Sequence, residues 1–252
     1  VPGVLRANQA FHSVGLGVMN LHGFLAKNQI RYESEEARDF VRSFFAAMNY
    51  YSLERSMEIA RERGQTFHGF EQSDYASGRY FEKYQEDFRP RTETVRKLFE
   101  GIPLPSPADW ARLKEAVQQH GLYHAYRLAV APTASISYIQ NATPSIQPIV
   151  EHVETRTYGN ATTYYPMPFL SEETYWFYKS AYHMNMYRVI DLVAEAQQHV
   201  DQGISTVIFV TSETSTRELA RLYVYAAKKG LKSLYYTRTK NLSVEECLTC
   251  AV

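Results

Sequence analysis

Apolar residues recur at intervals of three and four over a long stretch in the first half of the chain, and this spacing predicts an amphipathic helix. The stretch runs from Ser34 to Arg63. Ser34 is a favourable N-cap, because its hydroxyl can accept from N–H groups that a first helical turn leaves unpaired, and Gly64 is a suitable stop. The same spacing predicts further helices at residues 108–120, 171–182, 186–200 and 216–229.

Short apolar runs bounded by turn residues predict buried strands. They lie at Leu128–Ala131, Thr206–Val210 and Leu231–Thr237. The last two flank the helix predicted at 216–229 with short links, which makes a β-α-β unit and favours a parallel sheet. Residues 155–170 are rich in Thr, Tyr and Pro, and we interpret them as a loop. The pattern as a whole predicts the α/β class.

Composition and charge narrow the classes of function. The 252-residue chain carries 27 basic and 27 acidic side chains, whereas a nucleic-acid binder normally shows a basic excess. No apolar run approaches the roughly 18 residues of a membrane helix, and no secretory signal opens the chain. Two cysteines cannot build a disulfide framework, so we expect a cytoplasmic setting. The chain opens on Val, and we expect a piece of a longer protein.

The segment from Leu128 to Pro148 carries the first candidate site. After its apolar run, Pro132 ends the strand because it has no N–H to donate, and small or hydroxyl-bearing residues follow from Thr133 to Ser137. If a helix begins here, its first N–H groups form a cradle for an anion. The alternative is an ordinary turn with a Ser or Thr N-cap. Composition alone favours that alternative.

Tyr235 and Tyr236 form the second candidate site. Tyrosine is abundant, with 20 residues, so most tyrosine pairs in this chain are expected to serve packing. This pair differs because it is predicted at the carboxyl end of a strand in a β-α-β unit, where ligand sites collect. Successive strand residues point to opposite faces, so contact between the two rings requires a local departure from regular strand.

Cys247 and Cys250 form a Cys-x-x-Cys motif near the end of the chain and have three interpretations. A zinc site needs about two further ligands, and no second motif of this kind is present in the sequence. A thioredoxin-like motif opens a helix after a strand, which a chain terminus does not allow. A tail dithiol that exchanges with another disulfide fits best. His12 and His22 lack metal-spaced partners, so we expect core or surface roles for them.

Three motifs, each weak alone, together resemble the large (catalytic) subunit of class I ribonucleotide reductases. They are the Pro132-Thr133-Ala134-Ser135 loop, the Leu234-Tyr235-Tyr236 segment and the terminal Cys-x-x-Cys, and the segment from Glu54 to Phe67 is similar to the class Ib branch. The resemblance implies the carboxyl-terminal part of that subunit. It would be the second half of a ten-stranded α/β barrel over residues 1–240, followed by a mobile redox tail over residues 241–252.

The resemblance also implies roles for the candidate residues. The backbone of Thr133, Ala134, Ser135 and Ile136 would bind the diphosphate of a ribonucleoside diphosphate. Tyr235 and Tyr236 would relay a radical from a small subunit, and Cys247 and Cys250 would form the tail dithiol reset by a glutaredoxin- or thioredoxin-like protein. No cofactor or metal is expected on this chain, since the family's dimetal-tyrosyl radical belongs to the small subunit. The complete subunit is expected to be a homodimer.

The cysteine count limits what this chain could do alone. The family's chemistry needs a thiyl-forming cysteine in an Asn-x-Cys-x-Glu loop and two reducing cysteines, and both cysteines present here belong to the tail motif. We therefore expect the isolated chain to be inactive and the upstream half of the subunit to be required. The alternative is a non-catalytic phosphate- or nucleotide-binding module with a redox-sensing tail, and adding the upstream half would discriminate between the two.

Overall fold

The computed structural model describes residues 1–241, apart from the side chain of Tyr158. Over these residues the α-helices are α1 (Pro2–Phe11), α2 (Leu21–Lys27), α3 (Glu35–Arg63), α4 (Asp74–Ser77), α5 (Glu93–Leu98), α6 (Pro107–His120), α7 (Ala134–Ile139), α8 (Met186–Gln197) and α9 (Thr216–Lys228). The strands are β1 (Val153–Tyr158), β2 (Ala161–Pro166), β3 (Val207–Thr211) and β4 (Tyr236–Lys240). None of the described helices is both long enough and apolar enough to span a bilayer. The α/β class is confirmed.

The chain divides into two compact units. Unit 1 contains Val1–Gly17, Arg38–Ala129 and Gln198–Gln202, and unit 2 contains Val18–Ala37, Val130–Gln197 and the residues from Gly203 onward. Unit 1 is helical and is built on an aromatic core, in which the Tyr84 ring stacks on Trp110 at 3.5 Å between ring centroids. The N-cap predicted at Ser34 is present: the Ser34 hydroxyl accepts from the Ala37 N–H, at 3.2 Å, just before α3.

A buried ion pair fixes the polar interior of unit 1. Arg127 is 1% exposed and its guanidinium donates to the Asp201 carboxylate at 3.1 Å. Asp201 also accepts from the backbone N–H groups of Arg127 and Leu128, at 2.7 and 2.8 Å. Asn49, Ser52 and Tyr75 accept from the two terminal guanidinium nitrogens at 2.9 Å each, whereas the buried Nε has no hydrogen-bond partner among the described residues. Because every partner is itself held, the pair avoids the cost of an uncompensated buried charge.

Unit 2 contains the predicted β-α-β unit. β3 and β4 pair in parallel, with Val207 opposite Tyr236, and α9 connects them. The Ser215 hydroxyl caps α9 by accepting from the Glu218 N–H at 3.1 Å. β4 begins five residues later than the predicted strand at Leu231. The prediction was wrong there because Tyr235 is the first residue after α9 to bond to the β3 segment, through its N–H to the Thr206 carbonyl at 2.8 Å.

Two other predictions in unit 2 were wrong. The stretch 155–170, predicted as a loop, holds most of the β1–β2 antiparallel hairpin, which turns at Gly159 with φ +59°. Thr and Tyr suit strands, and this preference outweighed the polar composition. The helix predicted at 171–182 is replaced by short 3₁₀ turns at Tyr175–Phe177 and Ala181–His183. Trp176, in the middle of this stretch, is 78% exposed.

The predicted strand at Leu128–Ala131 is reduced to single bridges. Within unit 1 Leu128 pairs with Leu16, and within unit 2 Val130 pairs with Ile204. Both residues are buried as expected, at 0% and 2% exposed. Each partner segment offers only one residue in register, so a regular ladder does not form.

Candidate active site

The predicted anion cradle lies at the start of α7, and its usual cap is missing. Thr133 occupies the N-cap position in the left-handed region, at φ 52°, and its side chain makes no capping hydrogen bond. Its hydroxyl instead accepts from the Ser145 N–H at 2.7 Å. The N–H groups of Ala134, Ser135 and Ile136 therefore face neither an intrahelical carbonyl nor a side-chain cap. This departs from the ordinary capped turn and leaves donors for an anion.

The tyrosine pair lies at the amino end of β4, not at the carboxyl end of a strand as predicted. The reason is the late start of that strand, which places Tyr235 just before β4 and Tyr236 as its first residue. The two rings meet edge to face, with centroids 4.8 Å apart and an interplanar angle of 62°. Contact is possible because Tyr235 lies outside the regular strand, as the alternation of strand side chains requires. The residues are 56% and 47% exposed.

One cavity in unit 2 brings the cradle and the pair together. It measures about 200 Å³, and Ala134, Tyr235 and Tyr236 all line it. Thr133, Ser135 and Ile136 do not line it, although Ile136 is 57% exposed. The cavity walls also include Tyr138, Gln147, Ile149, Glu154, Arg156, Ser205, Val207 and Arg238. Two of the three sequence motifs thus converge on one space.

A larger cavity of about 560 Å³ also lies in unit 2, with an aromatic lining that includes Tyr32, His152, Tyr175 and Trp176. It shares only Val150 with the smaller cavity and contains none of the residues predicted from sequence. Size alone would favour it as a ligand site. We assign the site to the smaller cavity because Ala134, the first residue of α7, lines it together with the tyrosine pair.

Gln147 joins the wall of the cavity to the strand that precedes the tyrosine pair. It is 8% exposed, its amide nitrogen donates to the Ser205 carbonyl at 2.8 Å, and its amide oxygen accepts from the Val207 N–H at 3.4 Å. Tyr235 bonds to Thr206, between these two positions. A buried side chain with both ends bonded has one orientation, so Gln147 fixes the two walls relative to each other.

A buried histidine supports another part of this wall. The His22 Nδ1 accepts from the Ile149 N–H at 3.0 Å, and its Nε2 lies 3.1 Å from the Phe177 carbonyl, to which it donates. The ring packs against Tyr32 and Tyr178, with centroids 5.1 Å away in each case. Burial, with a smaller effect of His152, lowers the pKa of His22 to about 4. The ring is therefore neutral, as its role as an acceptor requires.

Three polar residues that line the cavity, Tyr138, Glu154 and Arg156, were not predicted from the sequence. Tyr138 on α7 donates its hydroxyl hydrogen bond to the Glu154 carboxylate, and Arg156 donates to the Tyr138 oxygen. The Arg156 guanidinium lies 3.3 Å from Glu154 and 4.2 Å from the centroid of the Tyr138 ring. Glu154 and Arg156 lie two residues apart on β1 and therefore point to the same face of the strand. The sequence would have indicated this shared face if a strand had been predicted here.

Cys247 and Cys250 lie outside the described residues, so the tail dithiol stays a prediction. In residues 1–241, no group of three or more His, Cys, Asp or Glu side chains is arranged to hold a metal ion.

The chain belongs to the ribonucleotide reductase family whose description is "Ribonucleotide reductase, barrel domain", which matches residues 1–237. Family membership and the barrel-domain expectation are thereby confirmed. Among its relatives is the ribonucleoside-diphosphate reductase subunit alpha of Bacillus subtilis, 53% identical over the whole chain, which spans 36% of that protein. The NrdEB subunit alpha of the same organism is 55% identical over the whole chain, which covers 23% of it.

A more distant relative is also a ribonucleoside-diphosphate reductase subunit. The subunit alpha of Mycoplasma pneumoniae is 41% identical over 269 aligned residues, with the whole chain covering 37% of that protein. The chain thus spans about a third or less of the length of these relatives.

Proposed function

We propose that this chain is the carboxyl-terminal part of the large subunit of a ribonucleoside-diphosphate reductase. The complete enzyme would reduce ribonucleoside diphosphates, as the names of its relatives suggest. The resemblance in sequence implies that it replaces the ribose 2′-hydroxyl with hydrogen by radical chemistry. The observation that carries the proposal is the single cavity lined by Ala134, Tyr235 and Tyr236. The first residue of α7 and two oxidisable phenols share the lining of this cavity, and this supports a radical reaction on a phosphorylated substrate.

The substrate diphosphate would bind to the backbone at Thr133–Ile136. Helix N–H groups attract anions because they point outward together and carry the positive end of the helix dipole. Two features support this assignment: the Thr133 hydroxyl is engaged by Ser145 instead of capping α7, and Ala134 lines the cavity. The sugar would then extend into the space beside the tyrosines.

Tyr235 and Tyr236 would relay the radical. A phenol can lose an electron and a proton together, and the 4.8 Å separation of the two ring centroids suits exchange between neighbours. Both rings are about half exposed, which leaves room for a partner protein on one side. The partner would be a small subunit carrying a dimetal-tyrosyl radical, and no step at the pair requires a metal on this chain.

Electrons would reach the site through Cys247 and Cys250, reset by a glutaredoxin- or thioredoxin-like protein. The thiyl-forming cysteine and the two reducing cysteines would be supplied by the upstream half of the subunit, because both cysteines of this chain are in the tail motif. The complete subunit would form a homodimer.

The test uses the complete large subunit, with this sequence as its carboxyl-terminal part, together with its small subunit. Ser135→Pro removes one cradle N–H in the first turn of α7, where proline is tolerated. We expect weakened substrate binding with the fold retained. Thr94→Pro is the matched control, because Thr94 holds the same position in the six-residue helix α5 and is exposed. Unchanged substrate affinity in Ser135→Pro would contradict the cradle.

The alternative of a non-catalytic phosphate-binding module has no observation in its favour. Each relative named above is a reductase subunit. If the complete subunit bound nucleotide but reduced none in the presence of its small subunit and a dithiol, the module would be favoured instead.

A further inference from the structure

A third tyrosine, Tyr138, lines the same cavity as the Tyr235–Tyr236 pair. Within residues 1–241, it is the only one of these three tyrosines whose hydroxyl is hydrogen-bonded to charged side chains. Tyr138 lines the same 200 Å³ space, as do both residues of its cluster, Glu154 and Arg156. Its hydroxyl donates to the Glu154 carboxylate, and the Arg156 guanidinium donates to its oxygen. The cavity therefore holds three phenols, one of them already paired with a base.

This environment suits the loss of an electron and a proton from Tyr138. Burial, followed by the hydrogen bond to Glu154, raises the pKa of the Tyr138 hydroxyl to about 12, so the phenol keeps its proton at neutral pH. A phenol that is already hydrogen-bonded to a carboxylate can release that proton without moving. Arg156 would remain bonded to the phenoxyl oxygen after the proton has left. The Tyr165 ring, with its centroid 4.8 Å away, fixes the position of the Tyr138 ring.

We propose that Tyr138 is a redox-active tyrosine that takes the radical from the Tyr235–Tyr236 pair, with Glu154 as its proton acceptor. The inference rests on the proposed function of the pair, which supplies the oxidant as a neutral tyrosyl radical. Tyr138 then provides a side position where the radical resides without leaving the cavity.

The exchange balances in electrons and protons. The O–H bond of Tyr138 breaks, its electron reduces the tyrosyl radical of the pair to a phenolate, and its proton passes to the Glu154 carboxylate. The phenolate takes up one proton from water, and Glu154 releases one to water. The net change is one hydrogen atom moved from Tyr138 to the pair, and it reverses when the pair is oxidised again.

A tyrosine bonded to a carboxylate is not rare in this chain, and a second example provides the matched control. The Tyr225 hydroxyl donates to Asp191 at 2.7 Å, and Lys229 lies 2.7 Å from the same carboxylate. This cluster has the same three chemical components as the one at Tyr138, and both tyrosines are partly buried. Tyr225, however, lines a different cavity, which contains neither residue of the pair. If local chemistry alone determined where a radical forms, Tyr138 and Tyr225 would behave alike. If proximity to the Tyr235–Tyr236 pair is also needed, only Tyr138 would carry the radical.

The experiment places 3-aminotyrosine, which is more easily oxidised than tyrosine and traps a radical, at single positions of the complete large subunit. Each variant is mixed with the small subunit and a ribonucleoside diphosphate, and the trapped radical is quantified by electron paramagnetic resonance. Position 235 tests the relay itself, position 138 tests the inference and position 225 is the control. We expect a radical at 235 and 138 and none at 225.

Adding Glu154→Gln to the position-138 variant and, separately, to the position-235 variant keeps the side-chain shape but removes the base. We expect the radical yield at 138 to fall by about tenfold, since hydrogen bonds to charged groups are the stronger ones, while the yield at 235 stays unchanged. A radical at 235 but not at 138 would overturn the inference and leave the relay intact. No radical at 235 would overturn the relay, and the inference with it. Equal yields at 138 and 225 would also overturn the inference.

Discussion

The neutral, buried His22 predicts a specific dependence of stability on pH. Burial lowers its pKa from 6.5 to about 4, whereas in the unfolded chain the ring titrates near its ordinary value. Between these two values the unfolded state binds a proton that the folded state does not. Stability is therefore fully present above pH 6.5 and is lost as the pH falls toward 4. Protonation would also take away the acceptor that Nδ1 offers to the Ile149 N–H.

The size of the loss follows from the shift in pKa. A difference of 2.5 between the two pKa values corresponds to about 3 kcal/mol in total. Between pH 7 and pH 5 the loss is about 2 kcal/mol, because only part of the titration falls in that interval. Solvent does not screen this contribution to stability, because His22 is fully buried.

The assay compares urea unfolding of the chain with that of His22→Gln at several pH values. Glutamine is similar in size and does not titrate, so the variant is expected to be less stable at pH 7 and to lack the His22 contribution to the pH dependence. The difference in unfolding free energy between the two proteins isolates that contribution, because His199 and His124 titrate equally in both. A difference that stays constant from pH 7 to pH 5 would refute the assignment of a neutral, buried ring.

Three further predictions concern other parts of the chain. Asp201→Asn should lower the unfolding free energy by about 3–5 kcal/mol, because it leaves the buried Arg127 guanidinium without a compensating charge. The control Asp74→Asn removes an exposed ion pair and should lower it by less than about 1 kcal/mol. Urea unfolding of both variants measures the difference. Gln147→Leu should cost about 1–3 kcal/mol by leaving a buried carbonyl and N–H unpaired, and an unchanged unfolding midpoint would exclude the bridging role. In the complete enzyme, Cys247→Ser or Cys250→Ser should abolish turnover with a protein reductant but keep a single round of reduction, and dithiothreitol should partly restore turnover. Loss of the single round as well would contradict the relay of electrons by the tail.

The elements that could be predicted from the sequence are those specified by local signals. α3 and α9 begin where Ser34 and Ser215 provide caps, and the parallel pairing of β3 with β4 follows from their short connections. The β1–β2 hairpin was missed because its polar composition hid a preference for strand. The helix predicted at 171–182 does not form because contacts hold its residues elsewhere: the buried Tyr178, for example, donates to the Pro168 carbonyl at 2.5 Å.

The candidate site was predictable in its motifs but not in its assembly. The cradle and the tyrosine pair are separated by about a hundred residues of sequence, and the link between them depends on Gln147, whose role no local pattern indicates. The diversion of the Thr133 hydroxyl to Ser145 likewise requires a contact 12 residues away. Tyr138 was not recognised as a site residue because no strand was predicted at β1, which carries its partners Glu154 and Arg156, and most of that strand lies in the stretch predicted as a loop.

The central claim is tested most directly by Tyr235→Phe and Tyr236→Phe in the complete large subunit with its small subunit, with turnover, substrate binding and small-subunit binding measured on the same preparation. Each change keeps the ring and deletes the O–H. The matched control is Tyr51→Phe, because Tyr51 also meets its neighbour Tyr50 edge to face, with ring centroids 5.2 Å apart. We predict that turnover vanishes in both variants of the pair while both kinds of binding survive, and that the control keeps its turnover. Substantial turnover in Tyr235→Phe and Tyr236→Phe would contradict the relay and the function proposed for this site.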